Sequence, residues 1–234
     1  MSSVAILLAG GSGSRMRGVV QDKILEPILG VPGLVYSVRA FLASGVADRF
    51  VIVRRDDAQR DAILAALAAH GHGGLAITWA VGGAERRDSV LSGLEAAPTG
   101  TELAFIHDSA RPLVRPESLR ELATAARRDG GAVLAHKVKD TIKQVPKGAV
   151  AGMPVDQRDL DRSTLWAMET PQAFRHELIL EAYRRVVADG AVITDDVAAA
   201  THAGHKVTLV ENLFPNPKIT EPSDLAWVEF LLKK

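Results

Sequence analysis

Short apolar runs that alternate with helical patterns are the feature of this sequence that most limits its fold. Each run is long enough for a buried strand, and each of the first four is followed by a stretch whose apolar residues recur at helical spacing. The runs are residues 4–8, 49–53, 75–81, 103–107 and 131–135, and the helical stretches are residues 33–42, 58–70, 86–97 and 116–128. Apolar strands joined by helices predict an α/β fold, with a mostly parallel, Rossmann-like sheet and helices on both faces.

This alternation stops at residues 137–166, where the chain becomes polar. Proline and glycine residues punctuate the stretch and predict an arm-like excursion from the sheet, such as a β hairpin. The later predicted elements are a helix at residues 176–189, a helix starting near the N-cap residues Thr194-Asp195-Asp196, a strand at 206–210 and a helix at 223–232. No internal repeat or linker is visible, so residues 1–234 are predicted to form a single domain.

Charge and composition exclude several classes of protein. The chain has 28 Lys and Arg against 28 Asp and Glu, so nothing draws it as a whole to nucleic acid or to an anionic membrane. Because it has no cysteine, disulfides, a thiolate nucleophile and Cys-ligated zinc are excluded. The first apolar run is far too short to span a bilayer and has no basic segment ahead of it, which favours a soluble, cytoplasmic protein.

A glycine-rich turn follows the first predicted strand. It comprises Ala9, Gly10, Gly11, Ser12 and Gly13, and two cations, Arg15 and Lys23, come after it. Glycines let the chain turn sharply and let a ligand approach the backbone N–H groups, so the turn predicts a polyphosphate-binding loop. A Walker A loop is ruled out because it needs Gly-Lys-Ser/Thr after four intervening residues, whereas Gly13 is followed by Ser14-Arg15. The dinucleotide fingerprint fails because its third glycine would be Met16.

Three further segments are expected beside this turn, because ligands of such sheets bind beyond the carboxyl ends of the strands. They are residues 82–89, residues 107–112 and the stretch after residue 135. Along the chain the motifs read A-G-G-x-G-x-R-M with a later lysine, G-G-x-E-R-x-x-S-V, H-D-x-A-R-P, D-T-x-K, D-R-x-x-L-W, T-P-Q, I-T-D-D and K-I-T-x-P-x-D. In this order, and over essentially the whole chain, they resemble the 2-C-methyl-D-erythritol 4-phosphate cytidylyltransferases of the non-mevalonate isoprenoid pathway.

The resemblance implies a fold, a reaction and partners. The implied fold is of the nucleotide-diphospho-sugar transferase type, with a protruding β arm at residues 137–166 that interlocks two subunits as a homodimer. The implied reaction joins CTP to the polyol phosphate 2-C-methyl-D-erythritol 4-phosphate, with Mg²⁺ or another divalent cation, and gives a CDP-alcohol and pyrophosphate. No nucleic acid or membrane partner is expected.

The resemblance also implies a role for each matching residue. The nucleotide phosphates would be held by Ala9, Gly10, Gly11, Ser12, Gly13, Arg15 and Lys23. The cytosine and ribose would lie near Gly83, Arg86, Ser89 and Asp108, with Asp108 also close to the metal. The acceptor phosphate would be served by Thr141, Arg162, Thr194 and Lys218, with Arg111, Asp140, Thr170 and Asp195 as neighbours.

The chemistry of this reaction calls for positive charge rather than for a general base. A phosphate monoester has a second pKa of about 6, so the nucleophile is already largely dianionic at neutral pH. The difficulty is that this dianion has to approach the α-phosphorus of a triphosphate. The predicted catalytic residues are therefore cations: Arg15 and Lys23 on the nucleotide side, with Lys23 at the α-phosphate, and Arg162 and Lys218 on the acceptor side.

Two other functions fit the same motifs. One keeps the chemistry and changes the acceptor to ribitol 5-phosphate or a similar pentitol phosphate. The other is a non-catalytic nucleotide-binding protein, which has little need for cations at the α-phosphate. The motif at Asp161 and the excursion at residues 137–166 favour methylerythritol phosphate as the acceptor.

Overall fold

A central sheet of seven strands organises the computed structural model, which describes residues 2–11 and 22–234. The strands of the chain are β1 Ser3–Leu8, β2 Pro27–Ile28, β3 Val31–Pro32, β4 Arg49–Arg54, β5 Ala76–Val81, β6 Leu103–Asp108, β7 Gly131–Lys137, β8 Lys143–Gln144, β9 Arg158–Asp159, β10 Trp166–Arg175 and β11 Thr208–Glu211. The order across the sheet is β11-β7-β10-β6-β1-β4-β5, while β2 pairs with β3 and β8 with β9. Every pairing within the sheet is parallel except those of β10, so the prediction of a mostly parallel sheet is confirmed.

Helices cover both faces of this sheet. They are α1 Gly33–Ser44, α2 Asp57–Ala69, α3 Arg86–Glu95, α4 Pro116–Asp129, α5 His176–Ala188, α6 Asp196–His202 and α7 Pro222–Leu232. Alternate residues of β1 enter two hydrophobic clusters, one shared with α1, α2, α4 and α7 and the other with α3, α5 and α6. Since both faces of β1 are buried, the strand reads as a continuous apolar run, and the prediction of helices on both faces is confirmed. Each helix among residues 2–11 and 22–234 falls short of the length and apolarity needed to cross a bilayer.

The register of β1 aligns the carboxyl ends of three strands. Leu8 lies beside Val53 of β4 and beside Asp108 of β6. The segments that follow these strands therefore leave the sheet at the same edge. This edge carries the described part of the glycine turn.

Strand β10 is missing from the sequence-based prediction, which places no regular structure between residue 166 and the helix at residue 176. It runs antiparallel between β6 and β7, with a register shift between Met168 and Gln172. The strand has no apolar pattern in the sequence because three of its residues are polar although they are buried: Glu169, Thr170 and Gln172. Their partners lie in other elements, so no local pattern announces them.

The arm, defined here as residues 138–165, leaves the sheet between β7 and β10. Its antiparallel pair joins Lys143 to Asp159 and Gln144 to Arg158, and a short 3-10 helix, Arg162–Thr164, follows. Most of its side chains are exposed, including the apolar Ile142, Val145, Val150 and Met153. The predicted excursion is therefore a thin two-stranded ribbon.

Candidate active site

A cavity of about 580 Å³ opens at the carboxyl ends of β1, β4 and β6. Nine of the residues predicted to bind the nucleotide or to catalyse the reaction are among those that line it. They are Ala9, Gly10, Gly11, Lys23, Gly83, Arg86, Ser89, Asp108 and Lys218. Thr220, from the motif K-I-T-x-P-x-D, lines it as well, and so does Arg55, which belongs to none of the motifs.

The glycine turn enters the cavity directly from β1. Ala9 donates its backbone N–H to the carbonyl of Val53 at 2.9 Å, which fixes the start of the turn against β4. A Cβ at Gly10 would lie 3.3 Å from the backbone of Arg54, so the turn passes closer to β4 than most side chains permit. Ser12, Gly13 and Arg15 lie outside the described residues, and their roles stay predictions.

Asp108, the last residue of β6, is the central carboxylate of the cavity. Its Oδ2 accepts a hydrogen bond from Lys218 Nζ at 2.5 Å, and its Oδ1 lies 3.4 Å from Nε of Arg86. Burial opposes the charge on Asp108, but Arg86 and Lys218 outweigh burial and hold its pKa well below the usual range. The carboxylate is therefore ionised across the physiological pH range and balances the two cations.

Arg86 is held by the carboxylate of Asp196, for which the sequence predicts only a helix-capping role. Its Nη1 and Nη2 donate to the two oxygens of Asp196 at 2.7 and 3.0 Å. Asp196 is fully buried and also accepts a hydrogen bond from the hydroxyl of Tyr183. Burial lowers the pKa of Arg86, but the attraction of Asp196 outweighs it and raises the pKa overall. The bidentate pair leaves the Nε side of the guanidinium facing Asp108.

Lys23, which follows the glycine turn along the chain, also lines the cavity. Its Nζ donates to the carbonyl of Ile219 at 3.1 Å, next to Lys218. Two lysines therefore border the region around Asp108. Such a concentration of positive charge suits a polyphosphate in a chain whose formal net charge is zero.

The segment between β5 and α3 offers main-chain groups to the cavity. Ser89 Oγ accepts from the N–H of Gly83 at 3.0 Å and bonds the carbonyl of Glu85 at 3.2 Å, which closes the segment over the start of α3. A Cβ at Gly83 would stand 2.3 Å from Cβ of Asp88, so only glycine fits there. Ser89 therefore shapes the backbone beside the cavity.

His107 lies directly behind Asp108 in the core. Its Nε2 faces the Arg111 carbonyl at 3.2 Å, and its Nδ1 lies 3.2 Å from the hydroxyl of Thr170. Burial lowers the pKa of His107 to about 4, although the charge of Asp108 opposes this shift. The histidine is therefore neutral at pH 7, and it supports the strand end from behind.

The residues predicted to bind the acceptor do not form one group with the nucleotide residues. Lys218 joins Asp108 in the cavity, but Thr170 is buried and its Oγ1 accepts the N–H of Asp108 at 3.0 Å. Asp195 is the N-cap of α6 and accepts from Ala198 N at 2.9 Å, in agreement with the predicted capping chemistry; Thr194, before it, is exposed.

Arg111 and the arm residues lie around other surfaces. Arg111 donates from Nη1 to the carbonyl of Asn216 at 2.7 Å and borders a second cavity, of about 810 Å³, with Asp140. Arg162 is exposed and donates to the carbonyl of Lys139 at 2.7 Å, and Thr141 is exposed as well. Neither Thr141 nor Arg162 lines the cavity that holds Asp108.

A divalent cation finds few ligands in this arrangement. Within residues 2–11 and 22–234, no three His, Asp or Glu side chains stand together as a metal-binding group. Asp108 supplies one carboxylate in the cavity. This fits Mg²⁺, which commonly takes one or two carboxylates and completes its shell with substrate phosphates and water.

Comparisons with known proteins agree with the motifs. The profile of the family described as 2-C-methyl-D-erythritol 4-phosphate cytidylyltransferase matches residues 3–234. A protein of that name from Geobacillus kaustophilus is 39% identical over 232 residues, covering 99% of this chain and 97% of its own. One from Shouchella clausii is 36% identical over 234 residues, covering 100% of this chain and 98% of its own.

Solved structures give the same result for the fold. The crystal structure of 4-diphosphocytidyl-2C-methyl-D-erythritol synthase from Anaerococcus prevotii superposes with a TM-score of 0.83 at 26% identity, covering 100% of this chain and 99% of that one. The 2-C-methyl-D-erythritol 4-phosphate cytidylyltransferase of Thermus thermophilus superposes with a TM-score of 0.78 at 28% identity, and both chains are covered fully.

Proposed function

Because the chain belongs to the family of 2-C-methyl-D-erythritol 4-phosphate cytidylyltransferases, we propose that the cavity around Asp108 binds CTP for transfer of its cytidylyl group to 2-C-methyl-D-erythritol 4-phosphate. The chain is thus a nucleotidyltransferase of isoprenoid precursor synthesis. The observation that carries the assignment of the cavity is the meeting of the glycine turn, Lys23, Arg86, Asp108 and Lys218 at one edge of the sheet. A cytoplasmic location stays a prediction from the sequence.

In this reaction one bond to phosphorus replaces another. An oxygen of the acceptor phosphate forms a bond to the α-phosphorus of CTP, and the bond from that phosphorus to the oxygen bridging the α- and β-phosphates breaks, so that pyrophosphate leaves. The acceptor oxygen attacks as an anion without losing a proton to the protein. The chain therefore has to orient two anions and offset their repulsion.

The described residues divide this work between them. The N–H groups of Gly10 and Gly11 face the nucleotide phosphates, and Lys23 stabilises the negative charge that develops around the α-phosphorus. Lys218, held by Asp108 at 2.5 Å, stands where it can meet the incoming acceptor phosphate. Asp108 holds Lys218 and Arg86 in place until the phosphates arrive.

Asp108 is the residue that would hold the divalent cation in this cavity. A bound Mg²⁺ would supply positive charge that offsets part of the charge of the phosphates. Lys218 approaches Oδ2 of Asp108, and Arg86 approaches Oδ1.

The arm is proposed to make a homodimer and to complete the acceptor side. A two-stranded ribbon is marginally stable in water by itself, and the exposed apolar side chains of the arm call for a surface to cover them. A second copy of the chain is the proposed surface. Arg162 and Thr141, which lie outside the cavity of their own chain, would then reach the acceptor phosphate in the partner's cavity.

The test is pyrophosphate release with CTP and Mg²⁺, run side by side with 2-C-methyl-D-erythritol 4-phosphate and ribitol 5-phosphate. Turnover with methylerythritol phosphate alone is expected. Turnover with ribitol 5-phosphate alone would move the protein to pentitol phosphate metabolism. Binding of CTP without pyrophosphate release from either acceptor would mean a non-catalytic nucleotide-binding protein.

A further inference from the structure

Gln59, in the first turn of α2, forms side-chain hydrogen bonds with three separate parts of the chain beside the cavity. The residue is 3% exposed. Its Oε1 accepts the N–H of Arg55 at 2.7 Å, and its Nε2 donates both to the carbonyl of Ala9, at 3.0 Å, and to Oδ2 of Asp22, at 2.5 Å. One buried amide therefore joins three separate points of the chain.

The chemistry of these contacts is specific to glutamine. The side chain has to accept one hydrogen bond and donate two, and an amide does both. Glutamate has no hydrogen to donate at neutral pH and would repel Asp22, while leucine can neither donate nor accept. Asparagine is one methylene shorter and does not span the same distance from α2.

The three points that Gln59 joins are the two ends of the glycine segment and the end of a neighbouring strand. Ala9 comes directly before Gly10, Asp22 comes directly before Lys23, and Arg55 follows β4. Residues 10–21 lie between the two ends along the chain. The amide thus ties the backbone that leads to the glycines to the residue that precedes the catalytic lysine.

We propose that Gln59 is a positioning residue for the nucleotide site: it holds Gly10 and Gly11 at a fixed separation from Lys23, so that all three meet one triphosphate. This inference rests on the proposed function of the cavity. Without the amide, ordering Gly10 and Gly11 relative to Lys23 costs conformational entropy at the moment of binding. A loss of alignment of about 1 Å is enough to change rates a hundredfold in a well-oriented site.

Kinetics of Gln59→Leu and Gln59→Glu, set beside the wild type, test this role. Both variants are expected to raise KM for CTP about tenfold or more while changing KM for the acceptor phosphate by less than about twofold. A substitution that merely loosened the fold would weaken both substrates together. Arg60→Ala is the matched control, since Arg60 is the next residue of α2 and its guanidinium meets Asp57 and Asp61. Its kinetics should equal those of the wild type.

A rescue experiment sharpens the test. Asp22→Asn combined with Gln59→Glu restores a donor and an acceptor between the two side chains with their roles exchanged. The double variant is expected to regain part of the CTP affinity lost in Gln59→Glu alone. Equal KM values for CTP in the wild type and in Gln59→Leu, or a double variant as weak as Gln59→Glu, would overturn the proposal.

Direct binding separates this inference from the proposed reaction. CTP affinity is measured by calorimetry with wild type, Gln59→Leu and Arg60→Ala, without an acceptor. A wild type that binds CTP but releases no pyrophosphate would contradict the proposed function, and a tenfold weaker Kd in Gln59→Leu alone would still support the role of Gln59. Equal Kd values in all three proteins would overturn that role even in an active enzyme.

Discussion

The cavity around Asp108 and the arm differ in how well contacts within the chain support their side chains. The cavity stands on buried strands, and its carboxylate Asp108 is paired with Arg86 and Lys218. The arm contains four paired residues and presents most of its side chains, charged and apolar, to solvent. The first region has its charges fixed before any ligand binds, and the second lacks a surface to pack on.

This difference indicates how the two substrates are handled. Orienting a triphosphate takes rigid backbone and preorganised cations, which a covered parallel sheet provides at its strand ends. In the proposed dimer, the predicted acceptor residues on the arm act only when two chains associate. Substitutions in the cavity should therefore act on each subunit independently, and substitutions in the arm should act through the partner.

Substitution of Lys23 is expected to have the largest effect on activity, and it most sharply distinguishes the cavity from the arm. Lys23→Ala removes a charge-assisted donor from the transition state, which costs on the order of 3 kcal/mol, or a hundredfold or more in kcat. The matched change in the arm, Lys147→Ala, removes an exposed lysine and should leave kcat unchanged. Steady-state pyrophosphate release measures both. Near-normal turnover of Lys23→Ala would remove Lys23 from the catalytic role.

Because His107 is buried and neutral beside the cavity, the stability of the protein should depend on pH. Its pKa is about 4 in the folded chain and about 6.5 when unfolded, so the unfolded state binds more protons between these values. The free energy of unfolding should therefore fall by roughly 3 kcal/mol as the pH falls from 6.5 to 4. The arm contains no histidine and cannot share in this effect.

Denaturant unfolding at a series of pH values measures this slope. His107→Gln should flatten it, whereas His72→Gln, at a less buried histidine beyond α2, should keep most of it. A slope that is unchanged in His107→Gln would contradict this account, because it would show that His107 takes up its proton at the same pH in the folded and the unfolded chain.

Ser89→Ala is expected to have the smallest effect. It removes the hydroxyl that accepts the N–H of Gly83 at 3.0 Å, and such a bond contributes about 1 kcal/mol. KM for CTP should rise about fivefold with little change in KM for the acceptor. Equal changes in both KM values would mean that the segment from Gly83 to Ser89 serves both halves of the site.

The difference between apolar and polar buried strands explains which strands could be predicted from the sequence. Continuous apolar runs identify β1, β4 and β6 because parallel strands are covered on both faces, and the glycine turn follows from its position after β1. Strand β10 escapes detection because Glu169 is satisfied by His136, Asn212 and Asn216, which lie far away along the chain.

Tertiary partnerships are the part that a single sequence does not report. Asp196 stands in a motif that reads as a helix start, and the structure adds Arg86, 110 positions earlier, as its partner. Gln59 belongs to no motif, and only the fold brings Ala9 and Asp22 to it. The arm is visible from its proline and glycine residues, but its sequence does not state which surface it covers.

Mixing two inactive variants tests most directly the claim that one chain supplies the nucleotide side and its partner the arm. Asp108→Asn disables the cavity, and Arg162→Ala disables the arm. If the arm serves the partner's cavity, a mixed dimer has one site with both residues intact, and random mixing should restore roughly a quarter of wild-type pyrophosphate release. A mixture no more active than its two components would contradict the account, because Arg162 would then act within its own chain or not at all.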